Sequence, residues 1–281
     1  MLPALIFSNA WVSLCVAIFS LPYLNESPRP LFYLWPVFVY LNTFLGYAFL
    51  HRNFLTQHAL SETNPQSEWM FRHRIAMSAA IALHALALFL LIIWYERIHW
   101  ILYSLPAVFL VLLYKLQINN QEQGLRSRQL IKPLSVSAAT IWMCCIVPGF
   151  IIGSPSSTDS FREPFLMLAD FIFISGIALL FDAHDFEEDR TARIPTLIQT
   201  IGIRNIPLLV ASLCLASGAL SIVLALGAES DEFGSIFASA AFMLVSSVML
   251  MDKPLQRKDP GFGFWFDGLI GLKGFLFIAF S

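Results

Sequence analysis

The sequence predicts an all-α, polytopic membrane protein, on three observations. Hydrophobic residues make up 57% of the 281-residue chain, charged residues only 13%, and mean hydropathy is +0.70. A soluble domain carries about 25% charged residues and about 45–50% apolar ones. The apolar residues fall in nine runs close to bilayer length, and the basic residues fall almost entirely in alternate connectors. This composition excludes a soluble enzyme, a disordered chain and a basic nucleic-acid binder. The net charge of −2 implies no bulk attraction to phosphate polymers, so no nucleic-acid partner is expected.

A bilayer span needs about 20 mostly apolar residues. In chain order the runs are 3–22, 31–51, 75–95, 99–116, 131–152, 164–183, 206–227, 234–251 and 262–281. No Lys or Arg precedes Arg29, so the charged start of a secretory signal is missing and the first run is expected to be a retained span. The fourth and eighth runs are short, and the ninth carries Asp267 and Lys273. The runs are continuous and lack strict alternation, which favours helices over a barrel. No connector is long enough for a separate soluble domain, so residues 1–281 are expected to form one domain.

The basic residues then set a topology. Arg52, Arg72 and Arg74 follow the second run. Lys115, Arg126, Arg128 and Lys132 follow the fourth, Arg190, Arg193 and Arg204 the sixth, and Lys253, Arg257 and Lys258 the eighth. The odd-numbered connectors hold only Arg29, Arg97 and Arg162. By the positive-inside rule the even connectors are cytoplasmic, with the N-terminus inside and the C-terminus outside. The plasma (inner) membrane is the expected location. Residues 153–163 read as a polar turn-rich outer connector and 228–233 as an acidic one. The long connectors 52–74, 117–130 and 184–205 share the cytoplasmic face, where function on a rigid bundle tends to sit.

Polar residues inside the runs have plainer readings. Cys15, Cys144, Cys145 and Cys214 lie in apolar stretches without a CxxC pair and read as small buried hydrophobes. His58, His73, His84 and His99 read as isolated histidines, not metal ligands. Ionisable residues within a span are costly and usually face the interior. Asp170 is expected toward the outer side and Asp267 toward the cytoplasmic side, with Asp267 either approaching an interior cavity or, the reading preferred, in a structural pair with a neighbouring cation. Lys273 calls for an acid on another helix that the sequence does not identify.

The segment Phe181-Asp182-Ala183-His184-Asp185-Phe186-Glu187-Glu188-Asp189-Arg190 stands at the end of the sixth run. On a continuing helix, residues advance about 100° each, so Asp182, Asp185 and Asp189 share a stripe about 60° wide. Glu187 and Glu188 fall on other faces. Three carboxylates on one stripe suit a hard divalent cation such as Mg²⁺, which binds through carboxylates and substrate phosphates. The competing reading is a solvated helix end. Lys132, Arg126 and Arg128 stand at the entrance of the fifth run, either to hold a diphosphate or to anchor in headgroups. Arg190 and Arg193 serve diphosphate binding or charge balance.

Asp182-x-x-Asp185-x-x-x-Asp189-Arg190, followed by Thr196-Leu197 and Gly202, resembles the second aspartate-rich motif of the UbiA superfamily of intramembrane prenyltransferases. The segment Leu125–Pro133 is similar to the basic stretch before the fifth helix in some members. The resemblance implies nine transmembrane helices around a central cavity open near the cytoplasmic side. It implies Mg²⁺-dependent transfer of a polyprenyl group from a prenyl diphosphate to a lipophilic acceptor, aromatic or quinone-like. Asp182, Asp185 and Asp189 would hold the metal. Asn42, Arg52, Arg126, Arg128, Lys132, Arg190 and Arg193 would bind substrate. The family's first motif, Asn-x-x-x-Asp-x-x-x-Asp, aligns with Asn42, Gly46 and Leu50, so Asn42 is kept and both acids are absent. That departure keeps two other readings open: a non-catalytic isoprenoid-binding protein of the same fold, and a small transporter.

Overall fold

The computed structural model describes residues 6–24, 28–50, 65–95, 97–115, 131–152, 162–184, 186, 190, 196–226, 230–251 and 260–280, and no strand occurs among them. The helices are α1 (Ala10–Phe19), α2 (Arg29–Leu50), α3 (Pro65–Arg72), α4 (Arg74–Trp94), α5 (Ile98–Lys115) and α6 (131–152). They continue with α7 (Arg162–His184), α8 (Leu197–Ile201), α9 (Ile206–Leu226), α10 (Ser230–Met251) and α11 (Pro260–Ala279). Every apolar run coincides with one of these helices, while α3 and α8 lie between runs. Five stretches among the described residues are long and apolar enough to cross a membrane: Pro30–Leu50, Arg74–Trp94, Pro133–Ile151, Glu163–Ala183 and Ile203–Leu226. Ala10–Phe19 and Ile98–Leu112 are shorter apolar helices.

Three local features depart from the sequence reading. Residues 65–72, read as connector, form α3. Pro65 supplies a preset φ at the first helical position, and Glu68 and Arg72 pair one turn apart. The eighth run begins earlier than its apolar residues do, because Ser230, Asp231 and Glu232 start α10, where acids favour a helix N-terminus. Within α6, Trp142–Ile146 widens to π geometry, with the Val147 N–H donating to the Trp142 carbonyl. The wider turn brings Cys144 and Cys145 both to full burial. All four cysteines are free and buried, as small apolar side chains would be.

The helices pack in an order that closes on itself. α1 packs on α2, α2 on α4, α5 on α6, α6 on α7, α7 on α9, α9 on α10, and α10 on α11. α11 then returns to α1. Trp11 meets Phe264, Cys15 meets Gly271, and Phe19 meets Gly274, so α1 and α11 run parallel. Ala169 meets Ser217 while Gly176 meets Val210 and Leu213, so α7 and α9 run antiparallel. Gly234, near the start of α10, approaches the carbonyl of Phe280 beyond the end of α11, so these two oppose each other as well. Asn9, Asp182 and Phe264 therefore lie toward one end of the bundle, and Tyr23, Asp170 and Lys273 toward the other.

The α1–α11 seam depends on glycine. Gly268, Gly271 and Gly274 recur every third residue, and a Cβ on Gly274 would stand 2.6 Å from the Ile18 carbonyl oxygen and 2.7 Å from Phe19 Cα. In lipid, where no hydrophobic effect drives helices together, such close backbone approach supplies the packing energy. Across the bundle, Trp35 and Trp100 are fully buried edge to face at 5.1 Å, and the Trp35 indole donates to the Met143 carbonyl at 3.1 Å.

The acid that Lys273 requires is Asp170. Lys273 Nζ lies 2.5 Å from Asp170 Oδ1, and the Tyr23 hydroxyl donates to Asp170 Oδ2 at 2.5 Å. Both ion-pair side chains are 5% exposed, and Nζ also stands 5.1 Å from the centre of the Phe19 ring. Removing one partner of a buried pair leaves an uncompensated charge and costs about 3–5 kcal/mol, whereas removing both is close to neutral. Lys273→Met is therefore expected to destabilise the protein in detergent by about 3–5 kcal/mol. Adding Asp170→Asn to that variant should restore most of the loss in the same unfolding measurement. Equal stability of the Lys273→Met variant and the parent would contradict this account of the pair.

Candidate active site at the Asp182 end of the bundle

The last turn of α7 carries Asp182, and its residue is 3% exposed. Ser175, Ala178 and Asp182 recur at helical spacing on one buried stripe of α7, while Gly176 sits against α9. The carboxylate thus belongs to the packed side of its helix, not to a solvated tip. Leu180 and Ala183 beside it are also buried. Asp185, Asp189 and Arg193 lie outside the described residues, and Arg190 is exposed.

After the acidic segment the chain returns through a built turn. Thr196 precedes α8 in extended conformation and is 3% exposed, with its hydroxyl buried and unpartnered among the described residues. Ile198 in α8 is fully buried and fixes this short helix to the core. Gly202 ends it at φ +86°, a conformation that costs glycine little and other residues more, with its N–H donating to the Ile198 carbonyl at 2.8 Å.

On α2, Asn42 and Gly46 continue the stripe of Trp35 and Val39, both fully buried, at the helical period. That stripe faces the bundle interior at the level of Met143. The Asn42 amide donates to the Phe38 carbonyl at 2.9 Å. Further along, a Cβ built on Gly46 would meet nothing within 4 Å among the described residues. Gly46 stands one turn before the end of α2. Asn42, Gly46 and Asp182 share this end of the bundle, and Lys132 opens α6 there. Arg52, Arg126 and Arg128 lie outside the described residues.

Sequence reasoning treated 52–74 as a connector and so missed how α3 closes this end. Gln66 donates to Asn9 Oδ1 at 2.9 Å and to the Phe7 carbonyl at 3.3 Å. Met70 is fully buried against Phe44 and Met77. Asn9 adopts φ +64°, which asparagine tolerates, and this turns the chain into α1. The signal for α3 was the Pro65 start followed by a Glu68–Arg72 pair. His84 is half-buried: Nδ1 bonds the Ala80 carbonyl at 2.7 Å and its ring stacks on Phe44 at 3.8 Å. His73 bonds the Trp69 carbonyl.

The expected cation partner of Asp267 is not found among the described residues. Lys273, the cation on the same helix, is committed to Asp170. The two residues stand on different sides of α11, six positions apart, so they do not neutralise each other.

For a metal, the donors available at this end are hard oxygens: the buried Asp182 carboxylate and the unpartnered Thr196 hydroxyl. Oxygen donors of this kind fit Mg²⁺, not a soft metal. Among the described residues no group of three His, Cys, Asp or Glu side chains converges. Asp185 and Asp189 fall outside that set.

The space at Gly46 and the contact at Gly274 make a paired prediction. Gly46→Ala should leave stability unchanged or raise it by about 0.5–1 kcal/mol, the usual gain over glycine inside a helix. Gly274→Ala should lower it by about 1–3 kcal/mol through overpacking. Thermal unfolding of both variants in the same detergent checks the contrast, which a similar shift in both would refute.

A model of the UbiA prenyltransferase family matches residues 71–267, from the end of α3 to Asp267 in α11. Neither the comparison with curated proteins nor the comparison with solved structures returned a match.

Proposed function

Because the chain belongs to the UbiA prenyltransferase family, a family of multi-pass integral membrane proteins, we propose that it transfers a polyprenyl group from a prenyl diphosphate to an aromatic or quinone-like acceptor within the membrane. The observation that carries this reading is the burial of Asp182 on the packed side of α7, inside the matched region. Nine helices cross the membrane in this reading, with a central cavity open at the Asp182 end. That end is cytoplasmic, because the basic connectors gather there, and the C-terminus is outside. The plasma membrane is the proposed location.

Asp182, Asp185 and Asp189 would hold Mg²⁺, which when bound would neutralise diphosphate charge and ease departure of pyrophosphate. Arg190 and Arg193 next to the acids, with Arg52, Arg126, Arg128 and Lys132 from the neighbouring connectors, bind the diphosphate oxygens. Arg does so by paired hydrogen bonds and Lys as a point charge. The Asn42 side chain borders the space at Gly46 and orients the donor there. The apolar interior excludes water from the electron-poor allylic carbon, so it meets the acceptor before it is hydrolysed. Fixed charges aimed at the leaving group are the main catalytic contribution.

A second reading rests on a specific observation. In the register read from the sequence, Gly46 and Leu50 take the acidic positions of the family's first motif, and a Cβ on Gly46 would meet nothing within 4 Å among the described residues. A chain with one acidic cluster would bind the isoprenoid diphosphate without transferring it. Pyrophosphate release in the presence of acceptor separates the two readings.

Geranylgeranyl diphosphate with Mg²⁺ should raise the thermal stability of the purified protein, since a ligand that binds only the folded state stabilises by mass action. Asp185→Asn should abolish that rise and Glu187→Gln should leave it nearly intact. Equal losses from both variants would return the cluster to a solvated helix end.

A further inference from the structure

Trp35 bridges α2 and α6 inside the bundle. It is fully buried, and its indole donates to the Met143 carbonyl at 3.1 Å. Phe38 and Trp100 back it with ring centres 5.0 and 5.1 Å away and stand 5.2 Å from each other. Three large buried rings thus fill one level of the interior, toward the Lys273 end. The proposed metal and diphosphate contacts do not use them, and Trp35 and Phe38 precede the residues that the family model matches.

Exposure changes at this level on both helices. Along α2, Gly46 and Asn42 are half-buried, whereas Val39 and Trp35, next on the same stripe, are fully buried. Along α6, Val136, Ala139 and Thr140 are half-buried, whereas Met143 and Val147, next on theirs, are buried. Inward-facing positions that keep accessible surface border a cleft. The length of that stretch follows from helix rise. Gly46 stands eleven residues from Trp35, and Lys132 eleven residues from Met143, which is about 16 Å on each helix. An isoprene unit adds four chain bonds of about 1.5 Å and spans about 5 Å when extended.

We propose that the donor's prenyl chain lies between these two stripes and that Trp35 is its stop, so that the donor carries three or four isoprene units. The inference rests on the transferase reading above for the place of the diphosphate. About 16 Å takes three extended units, and a fourth with a bend in the chain. A fifth has to displace the Trp35 indole. That breaks a hydrogen bond where lipid supplies no substitute and disturbs rings that are already close-packed. Ala139, one turn before Met143, has a side chain short enough to keep the approach to the stop clear.

The test measures binding by competition against radiolabelled farnesyl diphosphate, with Mg²⁺ and the protein in phosphatidylcholine nanodiscs. Competitors are geranyl, farnesyl, geranylgeranyl and geranylfarnesyl diphosphates, with two to five units. In the parent, farnesyl and geranylgeranyl diphosphates should bind within about threefold of each other, and geranylfarnesyl diphosphate at least about tenfold more weakly, the scale of an overpacked site. Trp35→Leu should bring the five-unit donor within about threefold of farnesyl diphosphate by opening space at the stop. Ala139→Phe raises the stop by one turn and should weaken geranylgeranyl binding about tenfold, while geranyl binding stays within about threefold of the parent. Weakening of all four donors together in both variants, as a loss of packing alone would give, overturns the assignment. So does a parent that binds the five-unit donor as tightly as farnesyl diphosphate. An unchanged order of donors in Ala139→Phe overturns it as well, and that variant keeps the Trp35 bridge and carries the test should Trp35→Leu not fold. A parent that binds none of the four donors removes the transferase reading, and this inference with it.

Discussion

A lysine ammonium in the middle of an apolar bundle must have its charge answered, and the fold is arranged around that requirement. Asp170 answers it with one oxygen and uses the other to hold Tyr23. Three segments distant in sequence, the turn after α1, the first half of α7 and the second half of α11, are thereby set at one level. The charge pair specifies where α11 sits, and the glycine stripe of Gly268, Gly271 and Gly274 lets α1 close on it. Each depends on the other. Without close backbone approach Phe19 would not reach the ammonium, and without Asp170 the ammonium would be a buried charge with no counterion.

The two ends of the bundle then differ in kind. At the Lys273 end Asp170 answers both Lys273 and Tyr23, and the π-widened turn of α6 carries the buried Cys144 and Cys145. At the Asp182 end, polar groups are held in position on buried faces. Asp182 is buried, and among the described residues the Thr196 hydroxyl has no partner and a Cβ on Gly46 would meet nothing within 4 Å. A buried carboxylate and hydroxyl at one end of an apolar bundle suit a family that takes prenyl diphosphates from the membrane.

The helical runs were legible because spans in lipid have a fixed length and must satisfy their own backbone. The parallel course of α1 and α11 fits an odd number of passes from the first run to the ninth, as the alternating basic connectors imply. Other features escaped for physical reasons. α3 carries too few apolar residues to stand out from its connector, although Trp69 and Met70 pack inward. The π turn leaves no periodic trace over five apolar residues. The Lys273–Asp170 pair required depth as well as sequence, since α7 and α11 are far apart in the chain. No cation partner of Asp267 stands among the described residues, and the helix turns Lys273, six positions on, to a different side, where it meets Asp170. The spacing of the acids was readable from the sequence, and of the three Asp182 is buried while Asp185 and Asp189 lie outside the described residues.

The central claim is that the acids after α7 hold a divalent cation together with a diphosphate. Manganese substitutes for magnesium at oxygen sites and is visible by electron paramagnetic resonance. Titrating Mn²⁺ into the purified protein with geranylgeranyl diphosphate should give a bound-metal signal that requires both protein and diphosphate and disappears in Asp182→Asn. A signal of equal strength in that variant would contradict the claim.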